Sequence, residues 1–267
     1  MKVACSNHAG PVKSSAAGFM DELGAALSSA VSRAVSGKAR PGILFSGGLD
    51  STVLAFLAKK AGAAPLLIAA GAESSEDIRF AKNIAAELEM RLETRILSPP
   101  EIQRLYAKAA EISGETELMK LELGLLLLAC CEAAEKEGIR LLVSGAGAEE
   151  LFLGYKMHSE KNAANEDLEE LRRKELAGLQ EKDLRRSEKI ASSFGIRLAL
   201  PYLDEAVVGA ALKIPAAKNF RNNENKAVLR SLARSMGVPA AACSRAKRAM
   251  QYGSGVHAAL QRLAKRN

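Results

Sequence analysis

The chain has 267 residues, of which 48% are hydrophobic and 26% charged, and a net charge of +7. This length allows one large domain with a substantial core. The chain lacks the roughly 18 consecutive apolar residues of a membrane-spanning helix, and its first residues lack the apolar centre of a signal peptide. We therefore expect no membrane partner and a cytoplasmic location.

The charge is unevenly distributed along the sequence. From Lys218 to the last residue there are 11 lysines and arginines and one acid, Glu224, whereas residues 41–217 carry a net charge of −6. A basic segment on an acidic body is typical of a protein with a polyanionic partner, either a polyphosphate or a nucleic acid, although it also fits a plain solvated surface. Nucleic acid is the weaker alternative, because four tyrosines, seven phenylalanines and no tryptophan offer little surface for base stacking.

Helices and strands alternate through the first part of the chain. The spacing predicts a helix over 18–37, with apolar residues on one side at every fourth position, followed by a strand at 43–45 and a helix over 51–61. The next predicted elements are a strand at 65–70, a helix ending near 90, a strand at 92–97, a helix opening at Pro99 and Pro100, a helix over 117–137 and a strand at 141–143. This alternation predicts an α/β fold, with a parallel sheet covered by helices on both faces.

The pattern changes after residue 155. A charged helical stretch is predicted over 166–194, and further helices over about 204–213, 224–236 and 254–266. We therefore predict an N-terminal extension with one helix over 1–40 and a main domain over 41–267. The main domain divides into an α/β core at 41–155 and a helical part at 156–267.

A glycine-rich loop separates the first strand from the next helix, within residues 42–54, GILFSGGLDSTVL. It lacks the closing lysine of the nucleoside triphosphate P-loop and the glycine spacing of dinucleotide-binding folds. Two adjacent glycines, nearby hydroxyls and the N–H groups of a helix start can surround an anion of pyrophosphate size. Asp50 would repel phosphate unless a cation lies between them, so we interpret it as a Mg²⁺ ligand. The alternative is an ordinary glycine turn with a helix cap.

The hexapeptide SGGLDS at 46–51 resembles the signature of the N-type ATP pyrophosphatases, or PP-loop enzymes, which cleave ATP between the α- and β-phosphates. Four further stretches resemble the synthetase domain of asparagine synthetases and their β-lactam synthetase relatives, so that the resemblance extends from about 41 to 258. They are LVSGAGAEELFLGY at 142–155, RLALPYLDEAVVGAALKIP at 197–215, NKAVLR at 225–230, and RAK at 245–247 followed by GSG at 253–255.

The resemblance implies roles for individual residues. A first group would bind the pyrophosphate part of ATP and the nucleotide: Ser46, Gly47, Gly48, Asp50, Ser51, Ala70, Gly71, Ser144, Gly145 and Lys226. Asp50 and Glu149 would hold Mg²⁺, with Glu149 at the position of the family's metal-binding aspartate. Lys247 stands at the position of the lysine that stabilises charge on the transferred phosphoryl group, and with Glu149 forms the expected catalytic pair.

The implied activity is that of an ATP-dependent, AMP-forming carbon–nitrogen ligase. ATP adenylates a carboxylate, aspartate or a similar acid, and ammonia or another amine then displaces AMP. Two departures concern the second step: Ala146 replaces the family's glutamate, and Leu153 replaces a glycine. Two alternatives stay open, a PP-loop enzyme acting on an RNA base or a metabolite carboxylate, and an ATP-binding homologue with reduced catalysis.

The glutamine-dependent members of this family carry a glutaminase domain ahead of the loop, where this sequence has about 40 residues. That number is too small for an independent enzyme domain. We therefore expect the nitrogen to come from free ammonium, from another amine or through a separate glutaminase subunit.

Overall fold

A computed structural model describes residues 16–37, 40–222, 224–246 and 250–265. Within them, five parallel strands form one sheet in the order β3-β2-β1-β4-β5. Because all neighbouring strands are parallel, their carboxyl ends lie at one edge of the sheet, which is where ligands bind in such folds. The strands are β1 Gly42–Leu44, β2 Leu66–Ala72, β3 Leu92–Leu97, β4 Leu141–Val143 and β5 Arg197–Ala199.

Helices cover both faces of this sheet, which confirms the predicted fold class. The side chain of Leu67 in β2 belongs to one hydrophobic core, and those of its neighbours Leu66 and Ile68 belong to the other. The helices are α1 Ala16–Val35, α2 Leu49–Lys60, α3 Glu76–Glu87, α4 Pro99–Ser113, α5 Leu118–Lys136, α6 Ala148–Leu151, α7 Lys156–Ala163, α8 Leu168–Leu179, α9 Arg185–Ser192, α10 Glu205–Leu212, α11 Ala227–Met236, α12 Ala240–Ser244, α13 Met250–Gly253 and α14 Val256–Ala264.

The first helix is part of the main core. Leu23, Leu27 and Val31 of α1 are fully buried, and α1 packs against α2, α10 and α11. The apolar residues at every fourth position of α1 thus form a face that other helices cover. The buried residues of this face belong to the same hydrophobic cluster as Ile43 and Val143 of the sheet.

Most predicted elements agree with the structure to within a few residues, and the strand at 92–97 has the predicted bounds. One prediction was wrong: the strand β5 comes from the part predicted to be helical and pairs with β4. Its residues, Arg197–Ala199, include no β-branched or aromatic side chain that would favour a strand. The stretch predicted to be helical over 166–194 is helical, and a π-helical turn, Gln180–Leu184, joins α8 to α9. The division into an extension and a main domain stays a prediction.

None of the helices in the described ranges is long and apolar enough to cross a membrane. Cys130, Cys131 and Cys243 are buried free thiols, and burial raises the pKa of each of them. These thiols are therefore packing residues.

Candidate active site

The glycine loop connects β1 to α2 at the carboxyl edge of the sheet and is held by its own polar groups. The N–H of Gly48 donates to the Ser46 hydroxyl at 3.2 Å, and the Ser51 hydroxyl donates to the Gly48 carbonyl at 3.2 Å. Gly47 has a φ of 70°, and a β-carbon there would be 3.0 Å from the backbone of Ala81 in α3. Glycine is therefore required by both the conformation and the space, and the loop is set in shape before any ligand binds.

Three charged side chains meet beside this loop. The Lys226 ammonium lies 2.6 Å from Asp50 Oδ2 and 2.9 Å from Glu149 Oε1. Asp50 lies in the first turn of α2, Glu149 in α6 just after β4, and Lys226 immediately before α11. The sheet order places β1 beside β4, which brings the first two together, and α11 supplies the cation.

Burial and charge oppose each other at this lysine. Its side chain is only 5% exposed, and burial alone would lower its pKa, but the charges and hydrogen bonds of Asp50 and Glu149 outweigh burial and raise the pKa above its ordinary value. Asp50 Oδ1 is buried and has no hydrogen-bond partner within the described residues. One carboxylate oxygen of the cluster is therefore available to another cation.

Backbone close to the cluster is packed tightly against it. A β-carbon at Gly154 would lie 1.9 Å from Glu149 Oε2 and 2.1 Å from Lys226 Cε. The Asn225 amide donates to the Tyr155 carbonyl at 2.9 Å, and the buried Tyr202 hydroxyl donates to the Asp50 carbonyl at 3.0 Å. The glycine and these two hydrogen bonds hold the segments that carry the three charges in one arrangement.

Arg245 connects the C-terminal region to the loop. Its guanidinium pairs with Asp77 of α3 at 2.6 Å, donates to the Ser46 carbonyl at 2.9 Å and lies 4.1 Å from the centre of the Phe80 ring. Arg230 in turn donates to the Arg245 carbonyl at 3.0 Å. The sequence marked Arg245 only through its resemblance. It carried no signal for Asp77 or Phe80, because both contact Arg245 from far away along the chain, Asp77 at a separation of 168 residues.

A cavity of about 110 Å³ lies between these groups. Five predicted site residues line it, namely Ser46, Gly48, Asp50, Glu149 and Lys226, and so does Ala246. Lys247 lies outside the described residues. The volume is below the roughly 300 Å³ of a pocket for a whole small-molecule ligand, so the cavity matches a phosphate group and a cation better than an entire nucleotide.

The remaining predicted site residues lie around the cavity without lining it. Gly47 and Ser51 shape the loop, and Gly145 lies against Asp50, since a β-carbon added to this glycine would be 3.3 Å from Asp50 Cβ. The Ser144 hydroxyl accepts a hydrogen bond from the N–H of Ala146 at 3.3 Å. Roles for these residues in nucleotide binding stay predictions.

Ala70 and Gly71 lie at the carboxyl end of β2, which the C-terminal segment covers. The N–H of Ala72 donates to the Ser254 carbonyl at 2.8 Å, and a β-carbon at Gly71 would lie 2.9 Å from the same oxygen. The predicted contact of Ala70 and Gly71 with adenosine is therefore not tested by this arrangement, and it stays a prediction.

A larger cavity, of about 740 Å³, follows the exposed edge of β5 between α1, α10 and the α8–α9 segment. None of the predicted site residues that the structure describes lines it. The charged cluster and the larger cavity are thus separate features, and the chemistry points to the smaller one.

The charged cluster fits a magnesium ion. Mg²⁺ is usually bound by one or two carboxylates together with substrate phosphates and water, rather than by a full cage of protein ligands. The described residues include no group of three or more histidine, cysteine, aspartate or glutamate side chains that could form such a cage. Asp50, whose buried Oδ1 has no partner in the described part of the chain, and Glu149 are the donors that would hold the ion.

A parallel sheet with an SGGLDS loop after its central strand defines a PP-loop α/β protein. The family model for asparagine synthase matches residues 22–179 and 161–267. The chain belongs to the asparagine synthase family.

Individual relatives agree with this assignment. A Methanocaldococcus jannaschii protein provisionally named asparagine synthetase (glutamine-hydrolyzing) 1 is 31% identical over 278 residues, covering 91% of this chain and 51% of the relative. Escherichia coli asparagine synthetase B (glutamine-hydrolyzing) is 27% identical over 254 residues, covering 88% of this chain and 45% of the relative. The chain thus spans about half the length of these relatives.

Among solved structures, the NMN synthetase of Francisella tularensis aligns with a TM-score of 0.44 and 15% identity, covering 88% of this chain and 76% of that one. This similarity is too distant to bear on substrate or reaction.

Proposed function

We propose that this protein adenylates a carboxylate, aspartate or a similar acid, with ATP, and then transfers ammonia or another amine to the activated acyl group. The observation that carries the proposal is the convergence of Asp50, Glu149 and Lys226 at the SGGLDS loop, where α2 begins. The start of a helix, two carboxylates and a lysine are together suited to a polyphosphate with its cation.

The bond changes define what the site must do. A carboxylate oxygen attacks the α-phosphorus, the bond from that phosphorus to the bridging oxygen breaks, and pyrophosphate leaves with those electrons. The amine then attacks the acyl carbon, AMP leaves, and the amine loses a proton. Negative charge increases on the phosphate oxygens in the first step, so fixed positive groups accelerate it.

The chain's own groups supply most of that stabilisation. The loop and the start of α2 would bind the departing pyrophosphate. Lys226 lines the same cavity and would offset the negative charge that develops on the pyrophosphate. Lys247 follows Ala246, which also lines the cavity, and we propose that it offsets charge on the α-phosphate. Mg²⁺, when held by Asp50 and Glu149, would add positive charge at the phosphates. Arg245 would keep the loop in place through the Ser46 carbonyl.

The bond that is cleaved tests this proposal. The purified chain is incubated with ATP, Mg²⁺, ammonium and a panel of carboxylic acids, and AMP is resolved from ADP. We expect AMP and pyrophosphate, formed only with the correct acid, and we expect Asp50→Asn to lose this turnover. ADP and phosphate as the main products would contradict the assignment.

A second candidate is supported by Ala146, which stands where the family has a glutamate that would assist the amine. Alanine cannot accept a proton, so in this candidate the protein forms the adenylate but the following attack by the amine is slow. In another form of it, the adenylated acceptor is different, an RNA base or a metabolite carboxylate. Acid-dependent exchange of labelled pyrophosphate into ATP without amide formation would favour this candidate. Turnover that appears only when a glutaminase subunit is added would show that the nitrogen comes from such a partner.

A further inference from the structure

The Lys226 ammonium occupies the space between the two carboxylates that are expected to hold a metal ion. Its nitrogen is 2.6 Å from Asp50 and 2.9 Å from Glu149. A Mg²⁺ ion binds carboxylate oxygens at roughly 2.0–2.1 Å. An ion that bridges both carboxylates would therefore have to enter the space that the ammonium now fills.

The position of this lysine is built into the fold. Its backbone has a φ of 57°, which few residues other than glycine adopt, and its side chain is 5% exposed. Gly154 leaves the room that the stem uses, since a β-carbon there would lie 2.1 Å from Lys226 Cε. Asn225, the preceding residue, is tied to the carbonyls of Gly154 and Tyr155 at 3.3 and 2.9 Å. The ammonium is therefore held by the surrounding structure and is not a surface cation in chance contact.

We propose that Lys226 is an internal counter-ion: it neutralises Asp50 and Glu149 in the nucleotide-free protein and transfers to the phosphates when a divalent cation arrives with them. Divalent cation binding is then dependent on phosphate binding. This inference rests on the proposed function, because it takes the same two carboxylates as the metal ligands.

The dependence follows from charge pairing. A cation that enters alone displaces a buried ammonium from both of its anionic partners, and an unpaired buried charge is strongly unfavourable. A polyphosphate that enters with the cation offers the ammonium a new anion. The long flexible stem of lysine and its three N–H donors allow it to change partners. Asp50 Oδ1, which has no hydrogen-bond partner among the residues that the structure describes, provides the first ligand for the incoming ion.

Manganese binding measures this coupling without any turnover. Free Mn²⁺ is followed by electron paramagnetic resonance while nucleotide-free protein is titrated, with and without pyrophosphate, against protein-free references that account for manganese pyrophosphate in solution. We expect wild-type protein to bind Mn²⁺ weakly alone and much more tightly with pyrophosphate. Lys226→Met should bind Mn²⁺ without pyrophosphate on the order of ten-fold or more tightly than wild type, since the competing charge is gone.

Matched variants separate this role from a general effect on the fold. Lys59→Met removes a lysine that pairs with Glu89 at the surface and should bind Mn²⁺ as wild type does. Lys226→Arg keeps the positive charge, and its Mn²⁺ binding without pyrophosphate should stay weak. Adding Asp50→Asn to Lys226→Met should abolish the tight binding. Thermal unfolding should show that Mn²⁺ alone stabilises Lys226→Met more than wild type; a residue with a purely structural role would not change this response.

Several outcomes would overturn the inference. Equal Mn²⁺ affinity of Lys226→Met and wild type would contradict the counter-ion role. If Asp50→Asn still weakens Mn²⁺ binding in the presence of pyrophosphate, the metal ligands of the proposed function would nevertheless stand. If Lys226→Met does not fold, the Mn²⁺ titration of wild-type protein is the test, because tight Mn²⁺ binding without pyrophosphate would exclude the coupling. Unchanged binding in Asp50→Asn would instead show that the metal ligands of the proposed function are wrong.

Discussion

At the scale of single residues, Gly154 shows how close the packing at the candidate site is. The residue stands one position after Leu153, which replaces the first of two glycines in the family pattern. Gly154 is the member of the pair that the site needs, because Glu149 and Lys226 both lie where its β-carbon would be. Leu153, by contrast, is fully buried and adopts a φ of 51°, so the leucine is accommodated within the core.

Gly154→Ala should therefore damage the site. A methyl group 1.9 Å from Glu149 Oε2 cannot be accommodated without moving Glu149, Lys226 or the backbone, and overpacking of this kind costs about 1–3 kcal/mol. We expect nucleotide binding, measured by calorimetry, to be lost or weakened at least about ten-fold, which is a change of about 1.4 kcal/mol.

Gly209→Ala is the matched control for this substitution. Gly209 lies within α10, and a β-carbon added there would have no atom of the described residues within 4 Å. Alanine favours the helix over glycine by up to about 1 kcal/mol, so this variant should bind nucleotide normally and unfold at a slightly higher temperature. If the two alanine variants behaved alike, the close approach at Gly154 would not matter for binding.

At the scale of elements, the start of α4 illustrates how local sequence sets a boundary. Ser98 precedes Pro99 and Pro100, and the Glu101 carboxylate accepts hydrogen bonds from the Ser98 N–H at 3.0 Å and the Ser98 hydroxyl at 2.7 Å. Proline suits the first turn, where helix N–H groups lack partners within the helix. The carboxylate returns to the residue before the helix and fixes where it begins.

This boundary gives a pH-dependent prediction. The Ser98 N–H, then its hydroxyl and Arg95, lower the pKa of Glu101 from 4.5 to about 2. The ionised carboxylate therefore stabilises the fold above its unfolded pKa, and this contribution is lost as the pH falls toward 2. The Glu101 side chain is 35% exposed, so solvent screening limits the effect of its charge. We expect Glu101→Gln to reduce the free energy of unfolding by at most about 1 kcal/mol at pH 7, and this deficit to shrink below pH 4.5.

Urea unfolding between pH 7 and pH 3 measures this difference. Glu87→Gln, at an exposed position of α3, is the control and should show little change at any pH. A deficit for Glu101→Gln that stays constant down to pH 3 would show that the carboxylate acts through its shape and not its charge.

At the scale of the whole molecule, α1 closes the core on one face of the sheet. It packs against α10, α2 and α11, and the residues of its apolar side belong to the main cluster together with Ile43 and Val143 of the sheet. In sequence, α1 precedes every strand of the sheet. It nevertheless packs against α2, which follows the first strand, and against α10 and α11, which follow the last. Stability of the complete domain should therefore depend on it.

Leu27→Ala tests that dependence. Leu27 is fully buried, and removing a buried leucine side chain costs about 2–5 kcal/mol through lost burial and the cavity left behind. Leu118→Ala makes the same change at a side chain that is 47% exposed and should cost much less. Equal free energies of unfolding for the two variants, measured in urea, would show that the packing of α1 contributes little to the stability of the domain.

The sequence by itself was sufficient for the local features. Alternating strands and helices, the SGGLDS turn and the proline start of α4 depend on residues close together in the chain, so periodicity and turn chemistry reveal them. The candidate ligands Asp50 and Glu149 were also recognised, through short motifs. The strand β5 was missed because Arg197–Ala199 has no β-branched or aromatic side chain to favour a strand.

Only the tertiary structure decided how these parts meet. Asp50 and Glu149 are neighbours because β1 pairs with β4, and Lys226 reaches both because α11 packs beside them, 176 residues from Asp50 along the chain. The contact of Arg245 with Asp77 and the place of α1 in the core arise in the same way. Contacts of this kind depend on strand order and on how helices pack, which no local pattern encodes, because the free energy that selects them comes from burying side chains distant in sequence against one another.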